Sequence, residues 1–177
     1  MNRQVMWTAR EWPGCEHLDL RFSAGQIIAD GVILAALKGR PIRLAYRIEA
    51  DPSWRTKSLA VDVHGHHRRT LTHDEHGDWF ENGSARPDLT NCTDVDISLT
   101  PFTNTLPIRR LDLAVGATAQ IRAIYLRFTP ELDFTVSKQR YTRLETGYRY
   151  ESEGFRADLD VDHDGLVINY PHLWAME

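Results

Sequence analysis

Hydrophobic and polar residues alternate along most of the chain. In the run Ile42 to Glu49, Ile42, Leu44, Tyr46 and Ile48 share one face, while Arg43, Arg47 and Glu49 share the other. Phe155, Ala157, Leu159 and Val161 alternate with Arg156, Asp158, Asp160 and Asp162. Val95, Ile97 and Leu99 alternate with Asp94, Asp96 and Ser98, and Leu18, Leu20 and Phe22 with Asp19, Arg21 and Ser23. Side chains of a strand switch faces at every residue, so these runs predict half-buried strands with one face inward and one in water. That is the usual condition of antiparallel sheets.

Turn residues punctuate the runs, among them Lys38-Gly39-Arg40-Pro41, Asp51-Pro52-Ser53, Glu81-Asn82-Gly83, Glu153-Gly154 and Asp164-Gly165. No long amphipathic helix stands out. Residues 24–37 come nearest, but Gly25 and Gly31 interrupt them and their β-branched content suits a strand. At a mean strand length of about five residues, roughly eleven to fourteen strands fit. The expected fold is all-β: a strongly curved antiparallel sheet or incomplete barrel around an apolar interior, one domain over residues 1–177. Residues 69–79 echo residues 157–167, each reading as strand, Asp-x-x-Gly turn, strand. Duplication would give this, and so would two similar turns. The stretch Thr100 to Leu111 does not alternate. Its two prolines, three threonines and asparagine exclude a central strand, and it reads as an ordered connection that packs against something.

Composition narrows the function. The 177 residues carry a net charge of −4, which argues against a general nucleic-acid binder. Cys15 and Cys92 are too few for a disulfide scaffold and read as thiols in a reducing cytosol. The start lacks an apolar signal region, and the longest apolar zone, Ile27 to Leu37, is cut by Asp30. A cytoplasmic protein without stable membrane insertion is expected.

Several constellations carry candidate chemistry. His64 and His66, with His73 or His76, have zinc-compatible imidazoles, though Arg68 and Arg69 in the same stretch favour a solvated hairpin. Asp160-x-Asp162-x-Asp164-Gly165 imitates the start of a calcium loop, but the twelfth position is Pro171 and the flanks are strand-like, so a polar strand ending in a tight turn reads better. Neither a metal nor a cofactor is expected. Asp94 and Asp96 would stand about 7 Å apart on one strand face, and paired carboxylates can serve glycoside hydrolysis. No Gly-x-Ser-x-Gly nucleophile motif and no phosphate-cradling glycine loop occurs. The aromatics, five Trp, six Tyr and six Phe, fill a core or line a cavity equally well.

A family resemblance enters through particular residues. They are Glu11-Trp12-Pro13-Gly14-Cys15-Glu16, Asp94-Val95-Asp96, the Thr100–Leu111 run, Gln139-x-Tyr141, Tyr148-Arg149-Tyr150-Glu151-Ser152 with Gly154-Phe155, Asp162-x-x-Gly165-Leu166-Val167 and Tyr170-Pro171. Together they resemble the bacterial putative glycolipid-binding family. The resemblance implies a fold similar to periplasmic lipoprotein carriers, in which a curved antiparallel sheet wraps an apolar cavity. On that basis the first expectation is non-catalytic binding of an amphipathic small molecule, a glycolipid or lipid. Its polar head would meet Thr103, Asn104, Thr105, Arg109 and Arg110, with Asp94 and Asp96 nearby. An anionic head would suit the two guanidinium forks. Equally, Arg109 or Arg110 would pair with Asp94 or Asp96 and pin the segment. The alternatives are a sugar- or lipid-acting enzyme using Asp94 and Asp96, and a filled barrel serving as an interaction module.

Overall fold

The computed structural model describes residues 2–23, 25–66, 68–128 and 132–177. The chain gathers into two compact units, residues 1–90 with 176–177, and residues 91–175. Strands dominate both, as the alternation predicts. Among the described residues there are fifteen, slightly more than the spacing implies, because some are only two or three residues long. No helix among the described residues is long and apolar enough to cross a membrane.

The first unit is an antiparallel meander. It comprises β1 (Asn2–Ala9), β2 (Gly14–Ser23), β3 (Gln26–Leu37), β4 (Arg40–Ala50), β5 (Thr56–Val63), β6 (Arg69–His73), β7 (Trp79–Glu81) and β8 (Ser84–Ala85). Each strand pairs with the next in sequence. Residues 26–37 are strand, in keeping with their β-branched content. Cross-strand rows build the core: Val5, Leu18, Gly31, Tyr46 and Val61 lie in line, beside Trp7, Glu16, Ile33, Leu44 and Val63. Glu16 is the one carboxylate in these rows, fully buried, and it accepts a hydrogen bond of 2.5 Å from the Tyr46 hydroxyl.

The second unit comprises β9 (Asp94–Ile97), α1 (Thr105–Leu111), β10 (Thr118–Arg127), β11 (Asp133–Arg143), β12 (Tyr148–Ser152), β13 (Phe155–Val161), β14 (Val167–Tyr170) and β15 (Trp174–Met176), whose last residue groups with the first unit. Its sheet order is β15-β14-β13-β12-β11-β10-β9. All these pairs are antiparallel but one. β9 runs parallel to β10, because residues 98–117, α1 included, carry the chain back to its starting end. The Thr100–Leu111 stretch is therefore a short 3-10 turn, Phe102–Asn104, running into α1. Pro107 fits because it sits in the first helical turn, where an amide N–H has no intrahelical partner. Residues 100–108 are all buried.

The echo between 69–79 and 157–167 follows from one turn used repeatedly. Asp74 Oδ1 accepts from the backbone N–H groups of His76 and Asp78, and Asp162 Oδ1 accepts from those of Asp164 and Leu166, each at 2.9 Å. A third copy joins β4 to β5, with Asp51 Oδ1 taking the N–H groups of Ser53 and Arg55. The fourth turn residue is left-handed in each: Gly77, Gly165 and, unexpectedly, Trp54 at φ 63°. A tryptophan in that conformation is uncommon. Here its ring is buried and packs edge-on against Phe22, with centroids 5.9 Å apart. Turn chemistry thus accounts for the echo without duplication.

Candidate functional site

The second unit brings most of the candidate residues onto one sheet face. Asp94 lies opposite Ala123 and Asp96 opposite Tyr125, so strand alternation aims both carboxylates to the same side. Ile121 and Gln139, which face each other across β10 and β11, and Tyr141 and Tyr150, which face each other across β11 and β12, share that side. The 3-10 turn and α1 lie against it.

Each aspartate meets its own partner. Arg110 grips buried Asp94 with a fork, Nε to Oδ1 at 3.0 Å and Nη2 to Oδ2 at 2.5 Å. Asp96 accepts from Gln139 Nε2 at 2.6 Å, Thr103 Oγ1 at 3.1 Å and, at the limit of bonding, the Tyr150 hydroxyl at 3.5 Å. Thr103 Oγ1 in turn accepts the N–H of Ile97. Asn104 is buried and accepts from the Tyr141 hydroxyl at 2.9 Å while donating to the carbonyl of Pro101. Thr105 is buried, and its hydroxyl has no hydrogen-bond partner among the described residues. Arg109 is exposed, and its stem lies over Gly165, so close that a Cβ at Gly165 would clash with it. Arg110 thus takes a strand aspartate and pins the segment.

Electrostatics sharpen the picture. Asp96 is half-buried as a residue, but its carboxyl lies beneath Gln139, Thr103 and Tyr150, and the loss of water around it pushes it above the usual carboxylate range despite those donors. Burial, with Asp96 close by, raises the Tyr141, Tyr150 and Tyr170 phenols as well. These rings form a row with Phe155: Tyr141 to Tyr150 at 5.3 Å, Tyr150 to Phe155 at 6.0 Å and Phe155 to Tyr170 at 6.2 Å. Because the folded carboxyl of Asp96 keeps its proton above the ordinary value of 3.8, the native state binds more protons than the unfolded state in the interval just above that pH. Stability conferred there is lost as pH rises through the folded pKa. Urea unfolding across pH 4 to 7 is therefore expected to show wild type losing stability relative to Asp96→Asn as pH increases. Parallel curves for the two proteins would contradict the burial of this carboxyl.

Beside the two pairs lies a groove of about 680 Å³. Arg110 and Leu111 of α1, Ile121, Gln139, Ser152 and Thr93 contribute to it. Arg122, Lys138, Arg140 and Glu151 also line it, but strand alternation turns their side chains toward the other sheet face, where Arg140 pairs with Glu151 at 2.8 Å. Of the residues predicted to meet a polar head, only Arg110 lines the groove. Gln139, Ile121 and Ser152 carried no predicted role, although Gln139-x-Tyr141 and Ser152 belong to the motifs of the resemblance.

The other constellations do not converge on this groove. His73 turns its ring onto Trp79, with centroids 4.5 Å apart, and places Nδ1 3.2 Å from the carbonyl of Thr56, whereas His64, His66 and His76 are exposed. Asp162, His163 and Asp164 lie together in the β13–β14 turn, where Asp162 Oδ1 serves the turn backbone. Cys15 and Cys92 are not in disulfides.

Comparison with known proteins agrees with this architecture. A crystal structure of a DUF1089 family protein from Pseudomonas aeruginosa superimposes with a TM-score of 0.80 and 38% identity, covering 90% of this chain and 91% of that one. No curated protein matches the chain. The family model described as putative glycolipid-binding matches residues 4–176, both units included, and to that family the chain belongs.

Proposed function

We propose that the protein binds an amphipathic small molecule, a glycolipid or lipid, without transforming it. The observation that carries this reading is the groove of the second unit, where the polar groups of Arg110 and Gln139 stand beside the apolar Leu111 and Ile121. In this reading Arg110 and Gln139 meet a polar head, and Leu111 and Ile121 cover part of its hydrocarbon, at about 0.8 kcal/mol per buried methylene. Thr103, Asn104, Asp94 and Asp96 act one layer back in this reading, holding the segment and the groove-lining side chains in place. The name of the family points the same way. Acid–base chemistry by Asp94 and Asp96 finds less support, because two-carboxylate hydrolysis needs both groups available and Arg110 already engages both oxygens of Asp94.

Native mass spectrometry of protein purified without detergent, followed by solvent extraction, is expected to show an amphiphile bound at one per chain. Ile121→Glu, at a half-buried groove position, is expected to lose it while melting within a few degrees of wild type. Protein that carries nothing and takes up nothing from a panel of lysolipids and alkyl glycosides would end the proposal.

A further inference from the structure

Asp94 and Asp96 orient two groove-lining side chains, and the orientation determines what each offers. Asp94 occupies Nε and Nη2 of Arg110, and Nη1 has no partner among the described residues. An ionised Asp96 only accepts, and it already takes hydroxyls from Thr103 and Tyr150, so Gln139 must turn its amide nitrogen to it. The carbonyl oxygen of Gln139 then has no partner among the described residues, although Gln139 is only 3% exposed. That oxygen is not wholly shut off from solvent, and the side chain lines the groove.

From this we infer that Arg110 and Gln139 present a matched donor and acceptor that read two hydroxyls of a polyhydroxyl head group, with Asp94 and Asp96 as the positioning residues. The inference rests on the binding reading above and names the head group that the groove takes. One hydroxyl accepts from Arg110 and another donates to Gln139, an exchange that a sugar makes and that a phosphate monoester dianion, which has no O–H, cannot complete at a fixed carbonyl oxygen. The charge of Arg110 is already met by Asp94, which removes its advantage toward an anion. The aspartates stand about 7 Å apart along the strand, a spacing on the scale of a pyranose ring. Both a glycolipid head and a free glycoside have this chemistry.

The test uses the full-length ¹⁵N-labelled protein with octyl glucoside, methyl glucoside and octyl phosphate, each below its micelle-forming concentration. Octyl glucoside is expected to shift the Gln139 side-chain amide signal and to bind at least tenfold more tightly than octyl phosphate. Gln139→Met, matched in length but without the amide, is expected to lose about tenfold toward octyl glucoside and to keep its affinity for octyl phosphate. Asp96→Asn can face Gln139 with either end of its amide. It is expected to move the Gln139 amide signal in the ligand-free protein and to weaken octyl glucoside alone, which a merely structural role would not do. If Asp96→Asn does not fold, Gln139→Met still decides. Methyl glucoside binding as well as octyl glucoside supports the hydroxyl reading with a free sugar as its source, and weaker binding supports it with a lipid-borne one. If octyl phosphate equals octyl glucoside, or Gln139→Met changes nothing, the head-group inference is overturned while the binding reading survives. If no octyl compound binds, both fall together.

Discussion

Gly31→Ala is expected to lower the unfolding free energy of the protein by about 2 to 6 kcal/mol in urea titrations. Gly31 lies on β3 directly between Leu18 of β2 and Tyr46 of β4. The Tyr46 ring leans across the bare glycine, and its hydroxyl reaches Glu16, on the far side of β3. A Cβ at Gly31 would sit inside the edge of that ring, closer to Cε1 and Cζ than real Cβ atoms approach. The ring is 2% exposed and Glu16 is 0% exposed, so the tyrosine has no outward path that preserves the bond. Overpacking of this kind costs about 1 to 3 kcal/mol, and leaving a buried carboxyl without its donor adds about 1 to 3 kcal/mol. Tyr46→Phe separates the two effects, since it keeps the ring and deletes the hydroxyl. Gly31→Ala made in a Tyr46→Leu background is expected to cost much less than it does in wild type, because the clash is gone. A single Gly31→Ala protein within 1 kcal/mol of wild type would show that the ring does not lie over β3.

The same region shows where the sequence stops being legible. The strands at 18–22, 42–49, 94–97 and 155–161 are readable because one face of each is apolar. The period survives in the burial of all but 94–97, where Asp94 is buried with Arg110 instead of facing water. Glu16 is in phase with Leu18 and Leu20, but a charge in an apolar phase reads as a strand end. The Tyr46 hydroxyl, thirty residues away, meets it in the core. Gly31 counts in the sequence only against a helix over 24–37, and in the structure it is a packing site for an aromatic on the next strand. Trp54 in a left-handed turn has no local signal, since its neighbours lack the glycine of the other two Asp turns. In the candidate site, the common face of Asp94 and Asp96 follows from a spacing of two. The pairing of an arginine of the 100–111 stretch with one of them is also a reading of the sequence, and Arg110 takes Asp94. The role of Asp96 is not legible, because Gln139 comes from 43 residues away. Gln139 was visible as part of a motif and silent as to chemistry, since an amide on a strand acquires a direction only from what holds its nitrogen.

Asp94→Asn is the second change expected to be severe, at about 3 kcal/mol of stability, the lower end for breaking a buried pair because the Arg110 side chain keeps 17% of its surface exposed. The substitution preserves shape and removes charge, leaving the guanidinium of Arg110 beside a neutral amide that offers one acceptor in place of two. α1 and the 3-10 turn before it also rest on Thr103 to Asp96 and on Tyr141 to Asn104, so they are expected to loosen rather than detach. Hydrogen exchange should quicken through residues 100–111 before it does in β10 and β11. Arg110→Met alone takes the guanidinium fork from the 1% exposed carboxylate and is expected to cost at least as much. Replacing both, Asp94→Leu with Arg110→Met, is expected to recover most of the loss, because no uncompensated charge remains. That double variant separates two uses of the pair. If it is stable yet no longer binds an amphiphile that wild type takes up, then the ion pair serves the groove as well as the fold. If instead Asp94→Asn alone keeps full stability and abolishes turnover of some glycoside, the carboxylate was available for chemistry, and the enzyme reading replaces the binder.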